Sequence, residues 1–166
     1  MRSLFRFLNR VKSFFIITNL KLENGKSLKL GKVRTRGGLK INVDKKAHCA
    51  IEGAFFNYGC SISCLHSIKI GKNCIFGENV KIYDHNHIFK KANIPFSKQG
   101  FKTKEIVIGN NVWIGSNCVI LKGVCIGDNV VVGANCVISE NIPPNTLVKR
   151  KSDEQISSPI IFSSEE

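Results

Sequence analysis

Asp84, His85 and His87 stand together in the stretch NVKIYDHNHIFKK, with one residue between the two imidazoles. A neutral imidazole takes up a proton near pH 7, so either histidine suits a general base. A neighbouring carboxylate suits orienting a ring or closing a turn. His48 and His66 are isolated in the chain and read as plain surface or core histidines. Seven cysteines, an odd number, form no CxxC pair and no His/Cys cluster at zinc spacing. They fit a reduced, cytosolic setting.

The elements that must position these groups recur every six residues. From Ile70 the chain reads IGKNCI, FGENVK and IYDHNH. After an interruption it reads IGNNVW, IGSNCV, ILKGVC, IGDNVV, VGANCV and ISENIP. Position one is Ile, Val or Phe, position two is usually Gly, and position four is mostly Asn. Position five is Cys, Val or Ile, apart from Asn86. A helix would space apolar residues three and four apart and would not tolerate so much Gly and β-branching. A strand of two or three residues followed by a turn fits six, with Gly and Asn accepting left-handed dihedrals. Positions one and five point inward, one large and one small, which gives Cys74, Cys118 and Cys136 a structural role. Ile82 opens the last hexad before the break, and the frame returns at Ile108. Residues 88–107 are therefore an excursion loop with the two histidines at its root. A long loop inside a compact domain is usually functional.

Hexads of this kind resemble the hexapeptide-repeat acyltransferases. The resemblance implies an all-β fold, a left-handed parallel β-helix with three hexads per triangular coil, over residues 41–148. AFFNYGCSIS suits a more degenerate first coil or two. NVKIYDHNH, IGNNVWIGS and VGANCVISENIPPN are similar to the sugar O-acetyltransferase branch, which includes galactoside, maltose and nodulation enzymes and many capsule or lipopolysaccharide modifiers. That likeness implies acetyl transfer from acetyl-CoA to a hydroxyl of a sugar or glycan intermediate, in the cytoplasm near the inner face of the membrane. It also implies no metal, and a homotrimer with coenzyme and acceptor held between neighbours. His87, eight residues after Asn79, takes the place of the catalytic base. Asn57, His85 and Asp84 fall on the acceptor side. Trp113 and Ser116 resemble positions beside the thioester, with a backbone N–H near Ser116 as the oxyanion donor. Ala134 and Ser139 resemble positions along the coenzyme arm.

The chain departs from that pattern in places. Glu140 stands where many members have Lys. LVKRKSDEQ replaces the small-residue turn after the two prolines, and its Lys149, Arg150 and Lys151 face either phosphate or solvent. Cys64 and Leu65 stand where some members carry an acid. A serine or sugar N-acetyltransferase is the alternative within this class. A zinc enzyme of the gamma-class carbonic anhydrase type, similar in fold, needs three histidines. His48 and His85 have a suggestive separation, but Lys90 occupies the third position. A non-catalytic scaffold would have no use for DHNH, NVWIGS and NIPPN.

The net charge of +13 is concentrated at one end. Eleven of the 25 basic residues and one of the twelve acids fall in residues 1–40, which leaves +3 for the rest. Such a segment should meet an anionic surface. In MRSLFRFLNRVKSFFIITNL, Lys12 interrupts the apolar run and no small-residue cleavage site follows, so a signal peptide is not expected. The stretch is too short and too charged to span a membrane. As a helix it puts Leu4, Phe7, Leu8, Val11, Phe14 and Phe15 on one face and Arg2, Arg6 and Arg10 on another. A basic amphipathic helix lies in an anionic membrane interface. The plainer alternative is a cap on the open end of the stacked repeats. No aromatic-and-basic strand platform and no helix-turn-helix pattern is visible, so nucleic acid is not an expected partner. Three segments result: 1–40 basic, 41–148 repeat domain, and 149–166 a polar tail.

Overall fold

The hexads stack as parallel coils with three flat faces. The structure, a computed structural model, describes residues 2–151 and 154–159. The first face stacks the start of His48–Phe56 on Ser67–Ile70, Ile106–Ile108 and Cys125–Ile126. The second stacks the end of His48–Phe56 on Cys74–Phe76, Trp113–Ile114, Val131–Val132 and Thr146–Lys151. The third stacks Lys40–Val43, Ser61–Cys64, Lys81–Tyr83, Val119–Ile120 and Val137–Ile138. Every one of these ladders is parallel, and the architecture is the left-handed β-helix expected from the repeat.

Position-one side chains form the core. Ile51, Ile70, Ile108 and Ile126 align on the first face. Phe56, Phe76, Ile114, Val132 and Val148 align on the second, and Ile41, Ile62, Ile82, Ile120 and Ile138 on the third. All are buried, as are the position-five residues Cys74, Cys118 and Cys136. Each fully buried aliphatic contributes about 1.5–3 kcal/mol relative to exposure. Position four makes the corner: Asn73, Asn79, Asn111, Asn117, Asn129 and Asn135 all have φ between 54° and 60°. Their amides also bond from coil to coil, as Asn111 donates to Asn129 at 2.9 Å and Asn129 to Asn145 at 3.1 Å. Where position two is Gly, the coils nearly touch. A Cβ on Gly115 would stand 2.5 Å from the backbone nitrogen of Ala134.

The parallel ladder starts earlier than residue 41. Leu28–Thr35 pairs along His48–Phe56, from Leu28 beside Cys49 to Thr35 beside Phe56. This strand runs across two faces without an Ile-Gly-x-Asn corner, and its inward residues Leu28, Leu30, Val33 and Thr35 skip a step at the bend, so the hexad signal is silent. At the other end Thr146–Lys151 and Glu154–Pro159 form an antiparallel hairpin, so the start of the expected polar tail is strand. An exposed edge is thereby paired. Residues 160–166 of that tail lie outside the described residues. The coil also resumes at Ile106 rather than after 107, because Ile106 pairs with Ile68 as Ile108 does with Ile70.

The N-terminal helix, Arg2–Asn24, covers the open end next to Leu28–Thr35. It docks through Ser13, Ile16, Ile17, Leu20 and Asn24, a three-and-four spacing. The Thr35 N–H donates to Ser13 Oγ at 2.9 Å. Asn24 donates to the Ile41 carbonyl and accepts from the Val43 N–H, each at 2.9 Å. The larger apolar stripe points outward instead: Phe7, Phe14 and Phe15 are 61%, 67% and 62% exposed, and Leu8 and Val11 are exposed too. The helix is thus an end cap that also carries an uncovered apolar face. The side chains of Arg2, Leu4 and Arg6 lie outside the described residues. Among the described residues no helix is long and apolar enough to cross a membrane.

Candidate active site

Asp84 sits where the third face turns toward the first, fully buried. Its Oδ1 accepts the Leu65 N–H at 2.9 Å, and its Oδ2 accepts those of His66 and Ser67 at 2.7 and 2.9 Å. Those three donors form the corner of the preceding coil, so Asp84 ties two coils together. Burial works against its charge. The Leu65 N–H, the His85 ring and the His66 N–H outweigh that penalty and hold the carboxyl below its ordinary range.

His85 Nδ1 lies 3.0 Å from Asp84 Oδ1, so the carboxylate fixes that imidazole. The strand His85–His87 pairs antiparallel with Phe101–Thr103, the returning end of the excursion loop. Alternation puts His85 and His87 on the same side of that strand. Both rings pack on Phe101, His85 edge-on at 5.2 Å and His87 tilted at 4.4 Å. His87 is exposed, and among the described residues its ring makes no hydrogen bond. Phe101 was not legible as a site residue, because only the antiparallel return brings it to the histidines. Glu105 fastens the same return, accepting from Ser67 Oγ at 2.7 Å and pairing with Lys69 at 2.8 Å.

Asn57, Ser116 and Ala134 stack on a different edge, between the second and third faces. At this edge a position-three N–H of one coil is received by a side chain of the next in one place. The Glu78 N–H donates to Ser116 Oγ at 3.1 Å. Ser116 meets Ala134, which has no acceptor, so among the described residues the Ser116 N–H has no acceptor on the chain. A free backbone donor therefore points from this edge. Asn57 bonds the N–H of Tyr58 through its own Oδ1 at 3.0 Å. Trp113 projects from the second face, 54% exposed, and Ser139 is exposed on the same edge as His85. The third face separates His87 from Ser116 and Trp113, so one chain does not bring them together. Beyond the groove under the helix, the second face also carries an outward apolar column, Ile75, Trp113, Val131 and Leu147, in register.

His48 and His66 are exposed, Lys90 lies in the loop, and Glu140, Lys149 and Arg150 face solvent. Among the described residues no three His, Cys, Asp or Glu side chains gather as metal ligands would. Burial, with the nearby charge of Asp84, pushes the Cys49 thiol up to about 12 and raises that of Cys64 as well. Six cysteines are buried, and Cys125 alone is exposed. An aromatic disulfide reagent should titrate one thiol rapidly in the native protein and all seven in denaturant. Rapid reaction of more than one would contradict the buried columns.

A family description, bacterial transferase hexapeptide (six repeats), matches residues 105–140. A protein of Escherichia coli (strain K12) named as a lipopolysaccharide biosynthesis O-acetyl transferase is 39% identical over 94 residues. The match covers 52% of this chain and 48% of that protein, and the chain spans about half the length of the curated relatives it matches. A solved maltose O-acetyltransferase from Clostridium difficile 630 superposes with a TM-score of 0.67 at 26% identity, covering 94% of this chain and 89% of the other. A galactoside acetyltransferase in complex with coenzyme A shares the fold, with a TM-score of 0.64 at 22% identity, covering 92% and 81%. The six-residue repeat and the three-faced prism it builds underlie these likenesses, and over residues 105–140 the chain is similar to the bacterial transferase hexapeptide (six repeats) family.

Proposed function

We propose that the chain is a coenzyme A-dependent O-acetyltransferase acting on a hydroxyl of a sugar or glycan intermediate, with His87 as general base. The observation that carries this reading is the exposed His87 ring on Phe101, at the root of the loop. The acceptor oxygen attacks the thioester carbonyl while neutral His87 takes its proton. The Ser116 N–H receives the oxyanion. Collapse breaks the carbon–sulfur bond, and the imidazolium returns its proton to the leaving thiolate. Asn57, His85 and Asp84 hold the acceptor or its neighbours. Trp113, Ala134 and Ser139 line the path of the coenzyme arm. No metal takes part.

The base and the free N–H lie on different edges, so the site is complete only between chains. A homotrimer answers that need, His87 of one chain facing Ser116 and Trp113 of the next. The outward column through Trp113 supports it, since exposed apolar patches mark interfaces. A second reading makes His85 the base, because a buried carboxylate already fixes its ring. Release of free coenzyme A from acetyl-CoA, screened over a panel of sugars and nucleotide sugars, tests the activity. Acceptor-independent hydrolysis alone, or no release with any acceptor, would defeat it.

The helix suits peripheral contact with an anionic membrane, through Phe7, Leu8, Val11 and Phe15 and the basic residues around them. Replacing Phe7 and Phe15 by Ser should weaken binding to anionic vesicles about tenfold or more, with turnover on a soluble acceptor unchanged. High salt should release the intact protein. Vesicle binding indifferent to both treatments would leave the helix as an end cap only.

A further inference from the structure

A groove of about 620 Å³ runs between the N-terminal helix and the first coil. Phe14, Val33 and Phe55 give it an apolar floor, and Arg10, Arg34 and Arg36 line it. The pairing of Arg34 with Phe55 puts a guanidinium beside that floor, and alternation sends Arg36 to the same side. All three arginines are exposed, and among the described residues none is in an ion pair. Each guanidinium stays charged and matches a phosphate with a planar fork of donors. Phe14 belongs both to the groove and to the outward stripe of the helix, where it meets Phe15 edge-on at 5.9 Å. The groove therefore opens onto the surface that would face a membrane.

We propose that this groove binds the phosphate headgroup of an anionic lipid, with Arg10, Arg34 and Arg36 on the phosphate and the start of the acyl chain over Phe14 and Phe55. A hydrophilic phosphate would use the arginines and leave the aromatic floor idle. A zwitterionic lipid would bring a cation into a basic groove. The site deepens the membrane reading of the helix.

The test uses the full chain and monomeric dihexanoyl phosphatidic acid, followed by titration calorimetry. Dihexanoyl phosphatidylcholine and inorganic phosphate are the comparison ligands. The phosphatidic acid should bind about tenfold or more tightly than either. The double variant Arg34→Gln, Arg36→Gln should lose about tenfold or more of that affinity, as expected for charge-assisted contacts. Phe7→Ser with Phe15→Ser should leave it unchanged, even where vesicle binding falls. Arg10→Gln, on the helix, gives the same answer should the strand variant melt early. Equal affinity for the two lipids, or full affinity in the arginine variants, overturns the site. Inorganic phosphate binding as tightly as phosphatidic acid would also overturn it, since the apolar floor would then contribute nothing.

Discussion

His87→Ala is expected to lower turnover at saturating acetyl-CoA by about 10²–10⁴-fold, the usual range for a lost general base. The reason is chemical: a sugar hydroxyl is a poor nucleophile near neutral pH, and His87 is an exposed imidazole on the Phe101 shelf with no hydrogen-bond partner among the described residues. Affinity for acetyl-CoA should barely move, because the free N–H of Ser116 lies on another edge of the prism. His85→Ala should cost less in turnover and more in the acceptor's KM, the signature of a binding role. Full activity in His87→Ala together with loss in His85→Ala would move the base two residues back. Survival of both would remove the imidazole from the mechanism. Mixing inactive His87→Ala chains with Ser116→Pro chains, which lack the backbone donor, should restore some activity if sites form between neighbours, and restoration would fail for a site within one chain.

The reach of the sequence follows from which contacts are periodic. The columns of Ile70, Ile108 and Ile126 and the corners at Asn111, Asn129 and Asn135 repeat every six residues, so a single reading frame exposes both. The frame also measured the loop, to within two residues at Ile106. Leu28–Thr35 was silent because it crosses two faces as one strand without the usual corner residues, and its outward Lys and Arg read as charge alone. The docking stripe of the helix was masked for another reason. Ser13 and Asn24 dock through hydrogen bonds, while the eye follows the larger Phe7, Phe14 and Phe15, which face outward. Ala134 was placed by resemblance. Its physical meaning, an absent acceptor that leaves the Ser116 N–H free, needs the neighbouring coil.

Asp84→Ala is expected to destabilise the fold by about 3–5 kcal/mol at neutral pH, read from the urea midpoint at fixed protein concentration. The substitution strands the N–H groups of Leu65, His66 and Ser67 at a buried corner and frees the His85 ring. The three backbone partners lie 17 to 19 residues from Asp84 in sequence, so the tie between coils is visible only in the fold. The pH dependence has a definite sign. The carboxyl is held lower in the folded chain than in the unfolded one, so its contribution is complete above the unfolded value, about pH 4. It disappears as pH falls through the folded value. The gap in stability between wild type and Asp84→Ala should therefore be constant from pH 7 to about 5 and narrow only in stronger acid. Asp84→Asn keeps the shape but turns one acceptor into a donor facing an N–H, so it should recover only part of the loss. A variant as stable as wild type would mean that Asp84 does not tie the coils. A gap that closes already near pH 6 would mean that a histidine beside it, rather than the carboxylate, sets the stability of this corner.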